Sequence, residues 1–434
     1  MIDEFIELLH KGFSKIEEHR RTNNGNVLYS LQDCLMAGFA MFSLKDPSLN
    51  QFRKNYPERE ANLKRIYKLD SLPSDTTLRE TIDGIKPEKI KAHFKPLINR
   101  LKKDDLLEGH KVLGDYIAIS NDGTGQFCSC KIKCPFCLTK KRKNGEINYY
   151  HQLFASVIVS PNQKTVFPIT AEPIVLQNQG DTKNDCELNA SKRAIPAIRE
   201  ILPKSNYKVI MLYDGLYPNG PQIRKLKSEE NDLNFITNIK EGYVFVQLDE
   251  LEKEGELRTT EWEQDGKKME FCYREDLMLN GENQDILVNF FEYRESDAET
   301  GEQIFYSSWI TDLPVSELDP TELVAVARSR WKVENEAFNT LKNQGYYLEH
   351  NYGHGKKYLS TNFALLTLLA FLTDQMAQHC DASFQKALEY CETKKRLWEK
   401  VRQVFDLIPS MSMNVIYQFI SKDIVLDIPL LRSD

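Results

Sequence analysis

Apolar and polar positions alternate with different periods along the chain, and the changes of period mark its parts. Over residues 1–108 the pattern is helical: Leu35, Phe39 and Phe42 share one face, and Ser30 stands before Leu31-Gln32-Asp33 as a helix cap would. Thr77-Leu78-Arg79-Glu80 has capping-box spacing and predicts another helix start. From about residue 111 the period shortens. Tyr116 to Asn121 and Val209 to Tyr213 are apolar, β-branched-rich runs, each followed by Asp-Gly. They predict two buried strands that end at Asp122 and Asp214. Ala155–Val159 and Thr165–Ile169 flank Ser160-Pro161-Asn162-Gln163 and predict a hairpin. A helix follows from near Asn184-Asp185-Cys186-Glu187 toward Leu202, kinked or split at Pro196. Residues 242–304 alternate, carry turn glycines at Gly255, Gly266, Gly281 and Gly301, and lack long helical periodicity. Ile304–Ile310 resumes the strand pattern, Arg330-Trp331-Lys332-Val333-Glu334 is helical, and 360–434 returns to helix with an apolar tail.

Strand, two antiparallel strands, helix, strand is the order of a ribonuclease-H-like core. The expected fold class is therefore α/β, with that core interrupted by a β-rich insertion and flanked by helical regions. The expected divisions are 1–108 (helical), 109–241 (first part of the core), 242–304 (insertion), 305–359 (last strand and site-bearing helix) and 360–434 (helical). A chain of 434 residues exceeds one ordinary core, so division is expected. Hydrophobic residues make up 41% and charged residues 28%, as in soluble globular proteins. The net charge of −7 argues mildly against a nucleic-acid partner, but Lys86–Lys103 and Lys131–Lys143 are locally basic. The helical N-terminal region fits either a DNA-binding domain or a plain structural cap. Met1-Ile2-Asp3-Glu4 lacks the basic start of a secretory signal, and the apolar run Phe363–Leu372 is too short to span a bilayer. Nine unevenly placed cysteines suggest a reducing compartment, hence the cytoplasm.

Three acids have the character of a metal-dependent phosphoryl-transfer site. Asp122 and Asp214 close strands, where the chemistry of open α/β sheets gathers, and Glu334 lies on a helix. Two such carboxylates plus a third suit paired Mg²⁺ ions. Asp115 is a rival to Asp122, but strand parity puts it on the other face. Arg330 lies one helical turn from Glu334, which also permits a purely structural ion pair; Lys342 lies roughly 80° around from Glu334. Glu349, in Leu348-Glu349-His350-Asn351, is the alternative third acid. Cys134-Pro135-Phe136-Cys137 is a zinc half-site, and Cys128-Ser129-Cys130 lies too near it for an ordinary four-thiolate ribbon. Zn²⁺ held by Cys134 and Cys137 with a distant His or Cys is one reading; a reduced basic hairpin touching DNA through Lys140, Lys141 and Arg142 is the other. His151 begins the second strand, either near the metals or as a satisfied core histidine.

Together, Ser120-Asn121-Asp122-Gly123-Thr124, Tyr150-His151-Gln152, Asp185-Cys186-Glu187-Leu188, Tyr213-Asp214-Gly215-Leu216-Tyr217, Arg330-Trp331-Lys332-Val333-Glu334 and Leu348–Gly355 resemble the DDE transposases of bacterial insertion sequences. The likeness is to the group with a β-stranded insertion and a Tyr-Arg-Glu-Lys signature. It implies that Asp122, Asp214 and Glu334 hold two Mg²⁺ or Mn²⁺ ions, and that Arg330 and Lys342 contact transposon-end phosphates. The signature tyrosine falls at Ala327, and Lys342 lies one residue beyond the expected spacing, where Leu341 stands. The implied partners are double-stranded DNA, both inverted-repeat ends and target, bound by a homodimer at the nucleoid, with no membrane. Two other readings stay open: a catalytically inactive DNA-binding protein on the same fold, and a nuclease that cleaves without joining strands.

Overall fold

Eleven strands form one mixed sheet in the computed structural model, which describes residues 1–20, 27–253 and 257–425. The sheet is built around β2 (Tyr116–Ser129), which follows the short β1 (Lys111–Val112). Ile117, Ala118 and Ile119 of β2 are fully buried, as expected of a strand with neighbours on both edges. On one edge β2 pairs antiparallel with β4 (Ile147–Val159). The inner half of β4 pairs antiparallel with β5 (Phe167–Ile174), and its outer half with β3 (Leu138–Lys141). On the other edge β2 runs parallel to β6 (Lys208–Tyr213), and β6 runs parallel to β7 (Asn234–Asn238). The order β5-β4-β2-β6-β7 thus has an antiparallel half and a parallel half.

The parallel connections run through helices, because parallel neighbours need a crossover. α8 (Glu187–Ile201) leads into β6 and packs on β4 and β5; α9 (Gly220–Lys227) connects β6 to β7. Pro196 lies inside α8 without ending it. Its side is exposed, so the carbonyl it leaves without an amide partner faces water instead of an apolar core.

The β-rich stretch extends the same sheet. β8 (Arg258–Gln264), β9 (Lys267–Met278), β10 (Leu287–Asp297) and β11 (Gln303–Thr311) form an antiparallel meander, and β11 joins it to β7 through Trp309↔Asn238 and Ile310↔Thr237. A helix, α10 (Tyr243–Lys253), opens this stretch where only alternation was expected; Val244 and Leu248, one turn apart, bury together. The turn expected at Gly255 and the apolar tail at 426–434 lie outside the described residues.

Among the described residues, seven α-helices precede the sheet: α1 (Ile2–Phe13), α2 (Leu31–Ser43), α3 (Leu49–Lys54), α4 (Tyr56–Ile66), α5 (Asp75–Asp83), α6 (Pro87–Lys91) and α7 (Phe94–Lys103). The Ser30 hydroxyl caps α2 by accepting from the Asp33 amide. α5 begins at Asp75, capped by Ser74, three residues earlier than a cap at Thr77 indicates. α11 (Pro320–Arg328) and α12 (Asn339–Asn343) bracket the Glu334 region. Among the described residues, four more helices follow: α13 (Leu359–Cys380), α14 (Ala382–Cys391), α15 (Lys394–Leu407) and α16 (Met413–Ile420). α13 is buried on all sides, wrapped by α1, α2, α5, α6 and α14, while α4 packs on α15. The two terminal regions therefore share one helical layer. Inside it Lys45 pairs with Asp374, and Arg59 with both Asp46 and Asp406. No helix among the described residues is long and apolar enough to cross a membrane.

Candidate active site

The parallel register Ser120↔Leu212, continued two residues, brings Asp122 level with Asp214 at the point where β6 stops. Asp122 does not end its own strand. β2 runs on to Ser129, because Gly123, Thr124 and the residues beyond keep pairing with β4, through a bulge between Gly125 and Phe127. Asp122 therefore lies mid-strand, where the parallel pairing with β6 stops and the antiparallel pairing with β4 continues. Asp214 leaves β6 and folds back, its Oδ1 accepting from the Leu216 amide at 2.9 Å.

The third acid comes from the run between α11 and α12. Asp319 caps α11; the chain then tightens over Ser329–Trp331 and widens into a π-type turn over Val333–Phe338. Such wide turns re-aim side chains and are frequent at functional sites. The Ser120 hydroxyl, on the Asp122 face of β2, donates to the Arg330 carbonyl at 2.6 Å and pins this run to the strand. Arg330 is buried, and its guanidinium reaches both carboxylates: Nη2 donates to Glu334 Oε1 at 2.9 Å, and Nη1 lies 3.7 Å from Asp122 Oδ2. The expected Arg330–Glu334 pair thus extends to a three-membered bridge.

A fourth carboxylate lies on the other face of β2. Gly123 faces opposite to Asp122, and Glu187, at the start of α8, fills the space a side chain there would take: a Cβ on Gly123 would lie 2.3 Å from Glu187 Oε1. Any larger residue at that position would displace the Glu187 side chain. The electrostatics record the crowding. Burial, followed by the charges of Glu334 and Glu187, pushes Asp122 up to about 7, against the Gly123 amide and Arg330, which pull it down. Burial and the charge of Asp214 raise Glu187. Tyr217 is raised by burial and then by Glu187, Tyr213, Asp214 and Asp122. Arg330 reaches two of these carboxylates, Asp122 and Glu334, the charge of Glu187 also acts on Asp122, and Glu334 keeps 35% of its side-chain exposure.

The remaining sequence candidates go elsewhere. Lys342 and Glu349 pair with each other at 2.8 Å. Lys140, Lys141 and Arg142 are exposed at the tip of the β3–β4 hairpin. The other basic stretch is largely taken up internally: Lys91 pairs with Glu172, Lys95 with Glu200 at 2.8 Å, Arg100 with Glu4 at 3.1 Å, and Lys102 donates to the Ile201 carbonyl at 2.6 Å. His151 turns away from the carboxylates toward the thiols of Cys134 and Cys137, and His354 meets them from the segment after α12. Cys128 and Cys130 stay outside that group; Cys130 contacts Asn148. Glu187 and His354 are the residues that sequence reasoning left without a role, although both lie within motifs that carry the resemblance.

No model of a protein family matches the chain, and no curated protein matches it. Among solved structures, the chain is similar to the piggyBac transposase synaptic complex with hairpin DNA, solved by cryo-EM. The TM-score is 0.39 and the identity 13%, covering 99% of this chain and 80% of that one. A likeness at that level assigns no family, so the functional reading rests on the residues themselves.

Proposed function

We propose that the chain is a DNA transposase of the DDE kind on a ribonuclease-H-like core, cutting at element ends and joining them to target DNA. The observation that carries this reading is the convergence of Asp122 and Asp214, from adjacent parallel strands, with Glu334, tied to Asp122 through Arg330. The sheet order β5-β4-β2-β6-β7, antiparallel then parallel with α8 crossing between the halves, supports the core assignment. The DDE reading itself comes from the motif resemblance.

The donor set fits Mg²⁺ or Mn²⁺. It consists of carboxylate oxygens, and the one arginine beside Asp122 leaves that buried carboxyl raised above its ordinary range. Two such ions, when bound, would activate the attacking hydroxyl and stabilise the leaving oxygen. Asp122 holds its carboxylate within β2 and Asp214 just past the end of β6, and Glu334 supplies the more accessible third. Arg330 keeps the Asp122 and Glu334 carboxylates apart and oriented, and on DNA binding its charge serves a phosphate. The exposed tip Lys140-Lys141-Arg142 gives backbone contacts remote from the cut. Lys141 pairs with Ile147, and Asp122 with Ala155, on β4; at about 3.3 Å per residue the tip lies roughly 26 Å from Asp122 along the ribbon. On B-form DNA that is about eight base pairs. Two ends must meet, so a homodimer on DNA is the working form.

Asp122→Ala and Asp214→Ala, assayed with Mn²⁺ on an end-containing duplex, test the reading. Cleavage is expected to fall to background while DNA binding persists; equal residual nicking in wild type and variants removes the assignment. Cutting without strand-transfer product would leave a nuclease, and binding with no cutting a DNA-binding protein.

A further inference from the structure

The hairpin that carries the basic tip has a second cluster at its base. Cys134 and Cys137 sit in the loop before β3, where the Cys137 amide closes a tight turn on the Cys134 carbonyl at 3.2 Å and the Cys134 amide donates to Cys137 Sγ at 3.3 Å. His151 comes from β4, opposite Phe127 of β2. His354 comes from the segment that joins α12 to α13. One atom from each of these four residues lies within 4.8 Å of the other three. The distances have the dimensions of a tetrahedron around one metal. Zinc bonds of about 2.3 Å to sulfur and 2.0–2.1 Å to nitrogen give edges of about 3.8 Å between two sulfurs and about 3.5 Å between sulfur and nitrogen. The observed values are 3.8 Å for Cys134 Sγ to Cys137 Sγ, 3.4 Å for Cys134 Sγ to His151 Nε2, and 3.3 Å for Cys137 Sγ to His354 Nε2. The two sulfurs are too far apart for a disulfide, whose S–S bond is about 2.05 Å.

The surroundings are those of a closed structural site. Cys137, His151 and His354 are buried, and the Phe127 ring stacks on His354 with centroids 4.0 Å apart. Phe136, between the two cysteines, stacks on Tyr358 at 5.8 Å. The His354 segment is itself fixed from the other side: the Asp83 carboxylate accepts from the amides of Lys356, Lys357, Tyr358 and Leu359 at 2.9–3.0 Å. Gly355 makes this possible, with φ +72° and a Cβ position that would collide with Asp83 Oδ1 at 2.3 Å.

We infer that Cys134, Cys137, His151 and His354 bind one structural Zn²⁺, which staples the basic β3–β4 hairpin to the segment following the Glu334 run. Two thiolates and two imidazoles with no open position make a site for holding chain segments together, not for binding substrate. The inference is independent of the transposase reading, since metal content is measured without DNA.

The test is elemental analysis of the full chain purified without chelator, followed by Co²⁺ reconstitution and optical spectroscopy. One zinc per chain and the intense visible bands of tetrahedral, thiolate-bound cobalt are expected. Cys137→Ser and His354→Asn should each weaken zinc binding by more than about 100-fold, because altering mere outer partners of a metal costs 10–100-fold. Cys128→Ser should leave the stoichiometry at one. If those variants fail to fold, zinc release from the wild-type chain by a chelator, read with amide exchange over 128–151, decides instead: exchange should rise as zinc leaves. A wild-type chain that carries iron or less than about a tenth of an equivalent of zinc, or gives only octahedral cobalt, overturns the inference.

Discussion

The carboxylate cluster takes Asp122 from β2 and the thiol–imidazole cluster takes His151 from its partner β4, yet they handle charge in opposite ways. At the thiols, soft donors face one another at the edge lengths of a tetrahedron, enclosed by Phe127 and Tyr358. At the acids, Arg330 reaches Asp122 and Glu334, the charge of Glu187 also acts on Asp122, and burial pushes Asp122 up to about 7. A closed, matched donor set suits a permanent ion that maintains shape. An open set with more negative charge than its partners balance suits ions that arrive with a charged substrate. The ribbon links the two, so the sheet that positions the chemistry also positions the proposed DNA contacts.

The largest effect that would break this contrast is at the third acid. Glu334→Gln keeps the shape and a hydrogen-bond acceptor for Arg330 but removes the charge. Cleavage should drop by about 10²- to 10³-fold or more, the scale seen when one oriented electrostatic group is lost. Glu349→Gln should stay within about twofold of wild type, because Glu349 is engaged with Lys342 rather than with Asp122. Steady-state cleavage rates of the two variants decide it; the reverse order would move the third acid to Glu349.

The acid site also carries a pH signature. Asp122 is raised from 3.8 to about 7, so between those values the folded chain holds a proton that the unfolded chain has lost. Stability attributable to this group therefore falls as pH rises through that window. His110 acts in the opposite sense. Burial presses it from 6.5 down to about 4, so its penalty appears as pH falls below 6.5, where the unfolded chain takes up the proton. Asp122→Asn isolates the first contribution: its melting temperature should exceed that of wild type by several degrees at pH 7.5 and match it near pH 4. Mn²⁺ should stabilise wild type more at pH 7.5 than at pH 5, because the ion displaces the proton. Parallel melting curves for the two proteins across this range would refute a strained, cation-seeking Asp122.

What could be read beforehand followed the range of each interaction. Strand-Asp-Gly at Asp122 and Asp214 is local, and so is the one-turn spacing of Arg330 and Glu334; both are visible in a single sequence. The end of β2 was misplaced because Gly123 and Gly125 look like strand breakers, whereas the tertiary partner β4 keeps them paired. Glu187 was missed because its role depends on the space above Gly123, which exists only once α8 docks. Cys134 and Cys137 read as half of a zinc site, but His354 lies 217 residues beyond Cys137 and no periodicity connects them. The basic stretch Lys86–Lys103 fits either a DNA-facing surface or a plain structural cap, and several of its charges meet Glu172, Glu200 and Glu4.

That last difference singles out the hairpin tip for the smallest and most specific test. Lys140, Lys141 and Arg142 are exposed, and Arg142 has only a loose contact with Glu146 at 3.6 Å, so their charge is available to a phosphate. Removing one cation that neutralises a phosphate should reduce the slope of log affinity against log salt by about 1, with little change in sequence preference. Lys140→Ala with Lys141→Ala should therefore flatten the slope by about 2 and leave metal-dependent chemistry at saturating DNA nearly unchanged. Filter binding or anisotropy across a salt series measures it. An equal loss from Lys95→Ala and Lys102→Ala would show that the N-terminal helices, despite their internal pairs, share the DNA surface. An unchanged slope in the hairpin variant would separate the hairpin from DNA altogether and leave its proposed zinc staple a purely structural part.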